Sequence, residues 1–552
     1  MPRRVKRGGG GHAMLAHDRD PPRPHSALNR RSALPRAETE TVFSHASETN
    51  ADQVPLSPWP PRRGWYWAVV WGLWLLLLLS IPVTSAPQVA ALLGENAVNP
   101  LALIPLAVLT VVWFIPYIAQ GGRLPAISWP FMAFVALAIV SALAATALPI
   151  YPFKGEDMLA REVRALVTVL ISLGFFWSAA VLPQGDEEMG TSLRALDVGG
   201  IVMLAWSSVQ AWVFLSGQSH VPLWLTNLHH LLSIRDPLVD RVTGLAFEPS
   251  WLGDQLVVLY LPLWLASVIC RWSSFSKSRR RLSFELLLIV WGIAILFLTK
   301  SRISLLSLLL VGFVLYVIGS WRAAGTLSRR LARSVQVLGS NRSRRTLHLA
   351  FEAVALSVLL AGAMASALVA GKVDRRMAHL LTLPDLLTEI RHFYPNDVPY
   401  EVANRLAFAE RVVYWADGFR VFEQYPILGV GLGNAGFFFE QSLPAYGYSL
   451  TEIRNVLMAA DAGFPNPKNL WVRLLAETGV GGFSAFVIWL GLLALAAWNT
   501  WKKASPVRRM IGLAALLALL AQVGEGFSLD SFALPQLWIM LGLVTAAVWR
   551  RD

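Results

Sequence analysis

Residues 65–85 read WYWAVVWGLWLLLLLSIPVTS, and no side chain in this stretch carries a charge. A run of about 18 or more apolar residues is long enough to cross a bilayer as a helix. Such runs recur along the chain, which has 552 residues, 55% of them hydrophobic and only 15% charged. A soluble domain of this length carries more charge. The composition therefore reads as a polytopic membrane protein. In lipid the spanning segments must satisfy their own backbone groups, which selects helices.

Working outward from the first run, the hydropathy pattern predicts an all-α fold of about twelve transmembrane helices. They fall near 65–85, 100–119, 127–148, 163–183, 198–217, 251–270, 285–299, 303–320, 347–371, 479–500, 510–528 and 532–549. Residues 1–64 form a basic tail rich in Arg, Pro, Gly and Ser, expected to be disordered and cytoplasmic. Its opening RRVKR is not followed promptly by an apolar stretch, so it does not read as a signal peptide. Residues 65–371 hold spans one to nine, 372–470 a large helical periplasmic loop, and 471–552 spans ten to twelve. Cys270 is the one cysteine, which excludes an intrachain disulfide.

The formal charge of +13 raises the question of nucleic acid. In a membrane protein, an excess of Lys and Arg is better read as a topology signal. With the N-terminus inside, roughly two-thirds of the 48 basic residues fall on the inner side. Both termini are then cytoplasmic. The 372–470 loop is long enough to be functional rather than a connector. Within it, Val412, Trp415, Phe419 and Phe422 share one helical face, which predicts a helix lying on the membrane or capping the bundle.

On this topology several cations face outward, against the positive-inside trend. Arg241 precedes the sixth span, Lys300 and Arg302 occupy the turn between spans seven and eight, and Lys468 leads into the tenth beside Asn469. Arg411 opens the loop helix, where a solvated helix face is the commoner explanation. Arginine donates bidentate hydrogen bonds to phosphate and keeps its charge. An arginine-rich site at headgroup depth points to a lipid-linked phosphate or diphosphate.

Four segments bear a family resemblance: RVTGLAFEPSW (241–251), LTKSRISLLSLLL (298–310), ERVVYWADGFRVFEQYPILGVGLGNAGF (410–437) and NPKNLWVRLLAETGVGGF (466–483). In order, spacing and shared outer location they resemble the O-antigen ligase and O-antigen polymerase superfamily of bacterial envelope glycosyltransferases. The likeness covers roughly residues 200–500. It implies transfer of a glycan from undecaprenyl diphosphate to an acceptor glycan or glycolipid, at the periplasmic face of the inner membrane. It implies no nucleotide, cofactor or metal, because the diphosphate already activates the sugar. Inner-membrane lipids are expected neighbours, and chain-length regulator and flippase proteins are expected partners. Nucleic acid is not.

Such transfer needs charge stabilisation on the leaving group, a base for the acceptor hydroxyl, and alignment. Arg241 and Arg302 match family arginines that bind the diphosphate; Lys300, Arg411, Lys468 and Asn469 are expected to help hold the substrate. In the ligase branch a His precedes the Asn of the last motif, whereas here that position is Lys468. Glu248 is then the better base candidate, or else it merely pairs with Arg241. The Glu-Pro-Ser segment and the missing His lean toward a polymerase, with a ligase or a lipid-linked glycan flippase as alternatives. Asp254, Glu525 and Asp530 are carboxylates in or beside spans, expected to partner arginines or sugar hydroxyls. His392 and the pair His229–His230 lack the companions of a metal site. Trp224, Trp415, Tyr446 and Tyr448 could stack on sugars or anchor at the interface.

One stretch invites a different reading. GLGNAG (431–436) matches the G-x-G-x-x-G pattern of dinucleotide-binding turns. No βαβ unit surrounds it and it falls on the outer side, so it reads instead as a tight turn, a hinge or floor under a glycolipid site.

Overall fold

A computed structural model describes residues 64–93, 98–275, 284–334, 357, 398–405, 408–459 and 462–549. The basic tail, the expected ninth span, His392 and much of the first half of the large loop lie outside these residues. Within them the chain is helical and has no β-strand.

The principal helices are α1 (Trp65–Ser80), α2 (Leu103–Ala119), α3 (Trp129–Ala145), α4 (Met158–Val181), α5 (Asp186–Leu215), α6 (Pro249–Cys270), α7 (Phe284–Thr299), α8 (Arg302–Ser334), α9 (Ala409–Gln424), α10 (Leu470–Lys503), α11 (Pro506–Glu525) and α12 (Pro535–Trp549). Among the described residues, seven helices are long and apolar enough to cross a membrane, and α1, α2, α7 and α12 are shorter apolar helices.

Local chemistry explains where they start. Asp157 caps α4 by accepting from Ala160 N at 3.0 Å. Asp186, Glu187 and Glu188 fill the first turn of α5, where carboxylates meet the positive end of the helix dipole. That turn extends α5 well before residue 198, where hydropathy alone starts the span. Pro506 opens α11 and Pro249 opens α6, where the absent N–H has no partner to lose. Two π-turns, at 110–114 and 256–260, sit directly upstream of Pro116 and Pro262. A proline inside a helix removes one hydrogen bond and crowds the preceding turn, and a wider turn relieves both.

α6 is the central helix, buried along almost its whole length, with α11 packed beside it. α11 also packs on α8 and α10, α10 on α3, and α12 on α4. Aromatic rings tie the second group together. Phe131 of α3 stacks on Trp489 of α10 at 4.4 Å and on Trp538 of α12 at 5.5 Å, while Phe176 of α4 meets Trp489 edge-on at 5.3 Å. Between helices in lipid there is little hydrophobic drive, so this close packing carries much of the association.

The loop helix rests on the bundle through a face other than its apolar stripe. The buried face of α9 is Val413, Tyr414, Asp417, Gly418 and Val421, whereas Phe419 is exposed and Val412, Trp415 and Phe422 are only partly covered. The cause is Gly418. Its missing side chain lets α9 lie against Val472 and Pro467; an added Cβ would sit 2.7 Å from Val472 Cγ1. Close approach to α10 outweighs the aromatic stripe.

Candidate functional site at one end of the bundle

The glycine-rich stretch fixes the scaffold. α10 breaks at Gly479, whose φ is +63°. The broken turn leaves carbonyls without helical partners, and the glycine stretch supplies them: Val430 N donates to Ala476 O at 3.0 Å and Gly431 N to Glu477 O at 3.1 Å. In return Val480 N donates to Pro426 O at 2.8 Å. Irregular backbone at membrane depth needs this kind of satisfaction. Ser141 Oγ lies 2.7 Å from Glu477 O and accepts from Gly431 N at 3.1 Å. Gly429, Gly431 and Gly433 all have positive φ. Residues 429–436 are buried throughout, so the stretch is a wedge inside the bundle. Asn434 is fully buried and donates to Glu162 Oε1 at 2.7 Å.

Five of the seven expected site residues form one contiguous chain of contacts. Arg241 Nε donates to Thr299 O at 3.0 Å, and Arg241 Nη2 to Lys300 O at 3.5 Å, so it grips the C-terminal end of α7. Lys300 has a left-handed backbone and places Nζ 5.0 Å from the centre of the Phe214 ring. Arg302, two residues on, lays its guanidinium 4.2 Å above Phe408, the residue that opens α9. One turn further, Arg411 donates to Ser528 O at 3.4 Å. Arg411 also acts on Glu452, of the short helix Thr451–Met458, and on Tyr414. Lys468 closes the chain: Nζ is 2.7 Å from Glu452 Oε1 and 4.2 Å from the Tyr414 ring centre.

Asn469 has two distinct ends. Its Oδ1 caps α10, accepting from Trp471 N at 2.9 Å and Val472 N at 3.1 Å. Its Nδ2 is buried and has no hydrogen-bond partner among the described residues.

Glu248 is the residue that departs from expectation. Its carboxylate does not hold Arg241; it pairs with Arg235 at 3.4 Å and accepts from Ser250 at 3.2 Å. Arg235 lies six residues before Arg241 in a loop without periodicity, so hydropathy gives no reason to choose it.

Electrostatics sort the acids and bases. Burial works against ionisation of Glu452, but Lys468 and Arg411 beside it hold its carboxyl below the usual range. Lys468 Nζ therefore lies against a carboxylate held below its usual range. Burial, and then Glu452, push the Tyr414 phenol up. His229 and His230 turn apart: His229 is buried against Trp206, and burial lowers it to about 4, whereas His230 meets Asp236 at 2.7 Å. Asp530 does partner an arginine, Arg473, which also meets Glu477 at 2.9 Å. Asp254 and Glu525 instead lie near each other, both buried.

Asp417 was absent from the expected site, yet burial pushes its carboxyl up to about 9, with Arg420 pulling only weakly the other way. The folded pKa lies above the unfolded one, so the fold binds a proton that the opened chain releases. Burial of Asp417 thus costs nothing below about pH 4 and progressively more as pH rises toward 9. Asp417→Asn should stabilise the loop by on the order of 1–3 kcal/mol at pH 8 and by nothing at pH 4. Hydrogen exchange of residues 409–424 at the two pH values checks this; equal gains at both would mean that charge is not the cause.

Comparison with known proteins adds the final observation. No curated protein matches the chain. The family model described as O-antigen ligase matches residues 287–487, a segment running from α7 to beyond the Gly479 break. It contains Lys300, Arg302, Arg411, the glycine wedge, Lys468 and Asn469, while Arg241 and Glu248 lie before it. Over this segment the chain is similar to the family described as O-antigen ligase.

Proposed function

We propose that this protein is a membrane glycosyltransferase that polymerises undecaprenyl diphosphate-linked oligosaccharide repeat units at the periplasmic face of the inner membrane. The observation that carries this reading is the convergence of Arg241, Lys300, Arg302, Arg411 and Lys468 at one end of a helical bundle. Held cations on a low-dielectric scaffold favour a transition state in which negative charge grows on a leaving diphosphate. In the reaction the bond from the anomeric carbon to the diphosphate oxygen breaks. A bond to the acceptor hydroxyl oxygen forms, and the hydroxyl proton passes to a base. Undecaprenyl diphosphate departs.

Arg302 and Arg241 take the diphosphate, with Lys300, Arg411, Lys468 and Asn469 completing the binding surface. Glu248 is the base, its carboxylate partly exposed and oriented by Arg235. A ligase that transfers the glycan to lipid A core or another acceptor is the second reading, favoured by the description of the matching family. Lys468, where the ligase branch carries its His, weighs against it.

Reconstitution with a purified undecaprenyl diphosphate oligosaccharide tests the proposal. Longer lipid-linked products support a polymerase; transfer only to an added core acceptor supports a ligase; movement across vesicles without bond formation supports a transporter. Glu248→Gln should slow transfer by about 10²–10⁴-fold while the lipid donor still binds. Undiminished transfer would leave Glu248 as a partner of Arg235 and no more.

A further inference from the structure

Beneath the basic mouth lies a nest of oxygen atoms with too few protons. Asp254 of α6, Glu525 of α11 and Gln536 of α12 are each at least 98% buried. Gln536 Nε2 donates to Asp254 Oδ2. That bond leaves Asp254 Oδ1, Gln536 Oε1 and Glu525 Oε1 buried and without partners. Glu525 lies against Ser304 and Ser307 of α8, and close enough to Asp254 for the two charges to oppose each other. Gly253 and Gly524 make the assembly possible: a Cβ on either would sit 2.4 Å from Ser304 Oγ or Ser307 Oγ respectively.

A cavity of about 20 Å³ opens beside this nest, lined among others by Asp254, Gln536, Gln522, Ser531 and Leu470. One small ion or one water fits such a space. Among the described residues, no Lys, Arg or His lines it. An isolated carboxylate in a membrane interior is costly, and two together are more so. The arginines of the mouth do not relieve it: Arg411 is bonded to Ser528 O, beyond the end of α11, and Arg473 to Glu477 and Asp530.

We propose that Asp254, Glu525 and Gln536 form a binding site for a monovalent cation of the sodium class, held inside the bundle under the substrate mouth. Carboxylate, amide carbonyl and hydroxyl oxygens are the ligands a hard cation selects. With one proton shared between the two carboxyls, a single positive ion leaves the nest neutral. A divalent ion fits less well, since among the described residues no group of three or more His, Cys, Asp or Glu converges. Gln536 is the observation that separates a cation from simple acid pairing. Its carbonyl oxygen is buried and unpartnered beside a carboxylate, and a positive ion satisfies both at once.

The site joins the mouth to the core. Glu525 ends α11, and the next residue, Gly526, accepts from Leu470 N at 2.7 Å; Ser528 accepts from Arg411. An ion that draws α6, α11 and α12 together therefore also sets the Gly526–Ser528 turn, which holds Leu470, next to Asn469, and Arg411. The proposal does not depend on which glycan is transferred.

Thermal unfolding of the full-length protein in detergent tests it, in NaCl, KCl, LiCl and choline chloride at equal ionic strength. The midpoint should rise in NaCl relative to choline, saturably with concentration. Asp254→Asn and Glu525→Gln should each abolish that difference. The wild-type comparison needs no variant and stands even if one of them fails to fold. Equal midpoints in all four salts would overturn the proposal and leave a proton-only pair. A sodium response surviving in either variant would overturn it too, by placing the ion elsewhere.

Discussion

Arg302→Lys should cut glycan transfer by about 10²–10³-fold while leaving the protein folded. The arginine stands at the first position of α8, with its guanidinium plane over Phe408 at 4.2 Å. That stacking fixes the fork against the opening of α9 before any substrate arrives. A lysine keeps the charge and some attraction to the ring, but it is a point charge and cannot offer two parallel donors to a diphosphate. The loss should therefore fall mainly on turnover, where charge on the leaving group is greatest. Product length on a defined lipid-linked donor, with size-exclusion behaviour as the folding control, gives the answer. A well-folded Arg302→Lys protein with wild-type turnover would move the diphosphate site away from the α8 terminus.

The second large effect is structural. Gly479→Val should destabilise the protein by more than roughly 3 kcal/mol and sharply lower the yield of monodisperse material. At φ +63° a β-branched residue is strained on backbone grounds alone. Its Cβ would also fall 2.2 Å from Ile427 O, so the chain at 427–431 would have to leave the break in α10. The Val480–Pro426, Val430–Ala476 and Gly431–Glu477 bonds would go with it, exposing backbone groups inside the membrane. Gly481→Ala is the matched control, because the nearest atom to its Cβ would be 3.8 Å away. If the two variants melted together, the wedge would not be what holds the bundle.

These residues show how a motif and its meaning can separate. In one dimension GLGNAG has the spacing of a phosphate-binding turn, and topology and the missing βαβ unit argue against a nucleotide. What it does instead was not legible, because its partners, Ser141, Glu162 and Glu477, are remote in sequence. The face by which α9 meets α10 was not legible for a related reason. Periodicity weighs side chains and gives no weight to Gly418, yet the absent side chain decides which face can approach α10.

The acids divide in the same way. Asp254 and Glu525 stand out in the sequence as ionisable residues near apolar spans, but nothing in one dimension says that they face each other and not an arginine. Glu452 sits in a short polar helix where any solvated glutamate would look alike. Only the docking of that helix on α9, where Tyr414 donates to Glu452, brings the carboxylate within 2.7 Å of Lys468.

By itself the sequence determined that this is a helical membrane protein, where most of its spans lie, and that cations collect at one end of them. Each follows from local physics: apolar length against bilayer thickness, and basic residues against the topology rule. The tertiary structure alone decided which carboxylate pairs with which arginine, which face of α9 is buried, and that three unsatisfied oxygens share one nest. Those depend on contacts between residues far apart in the chain, made where backbones approach closely at glycine, and no local pattern encodes them.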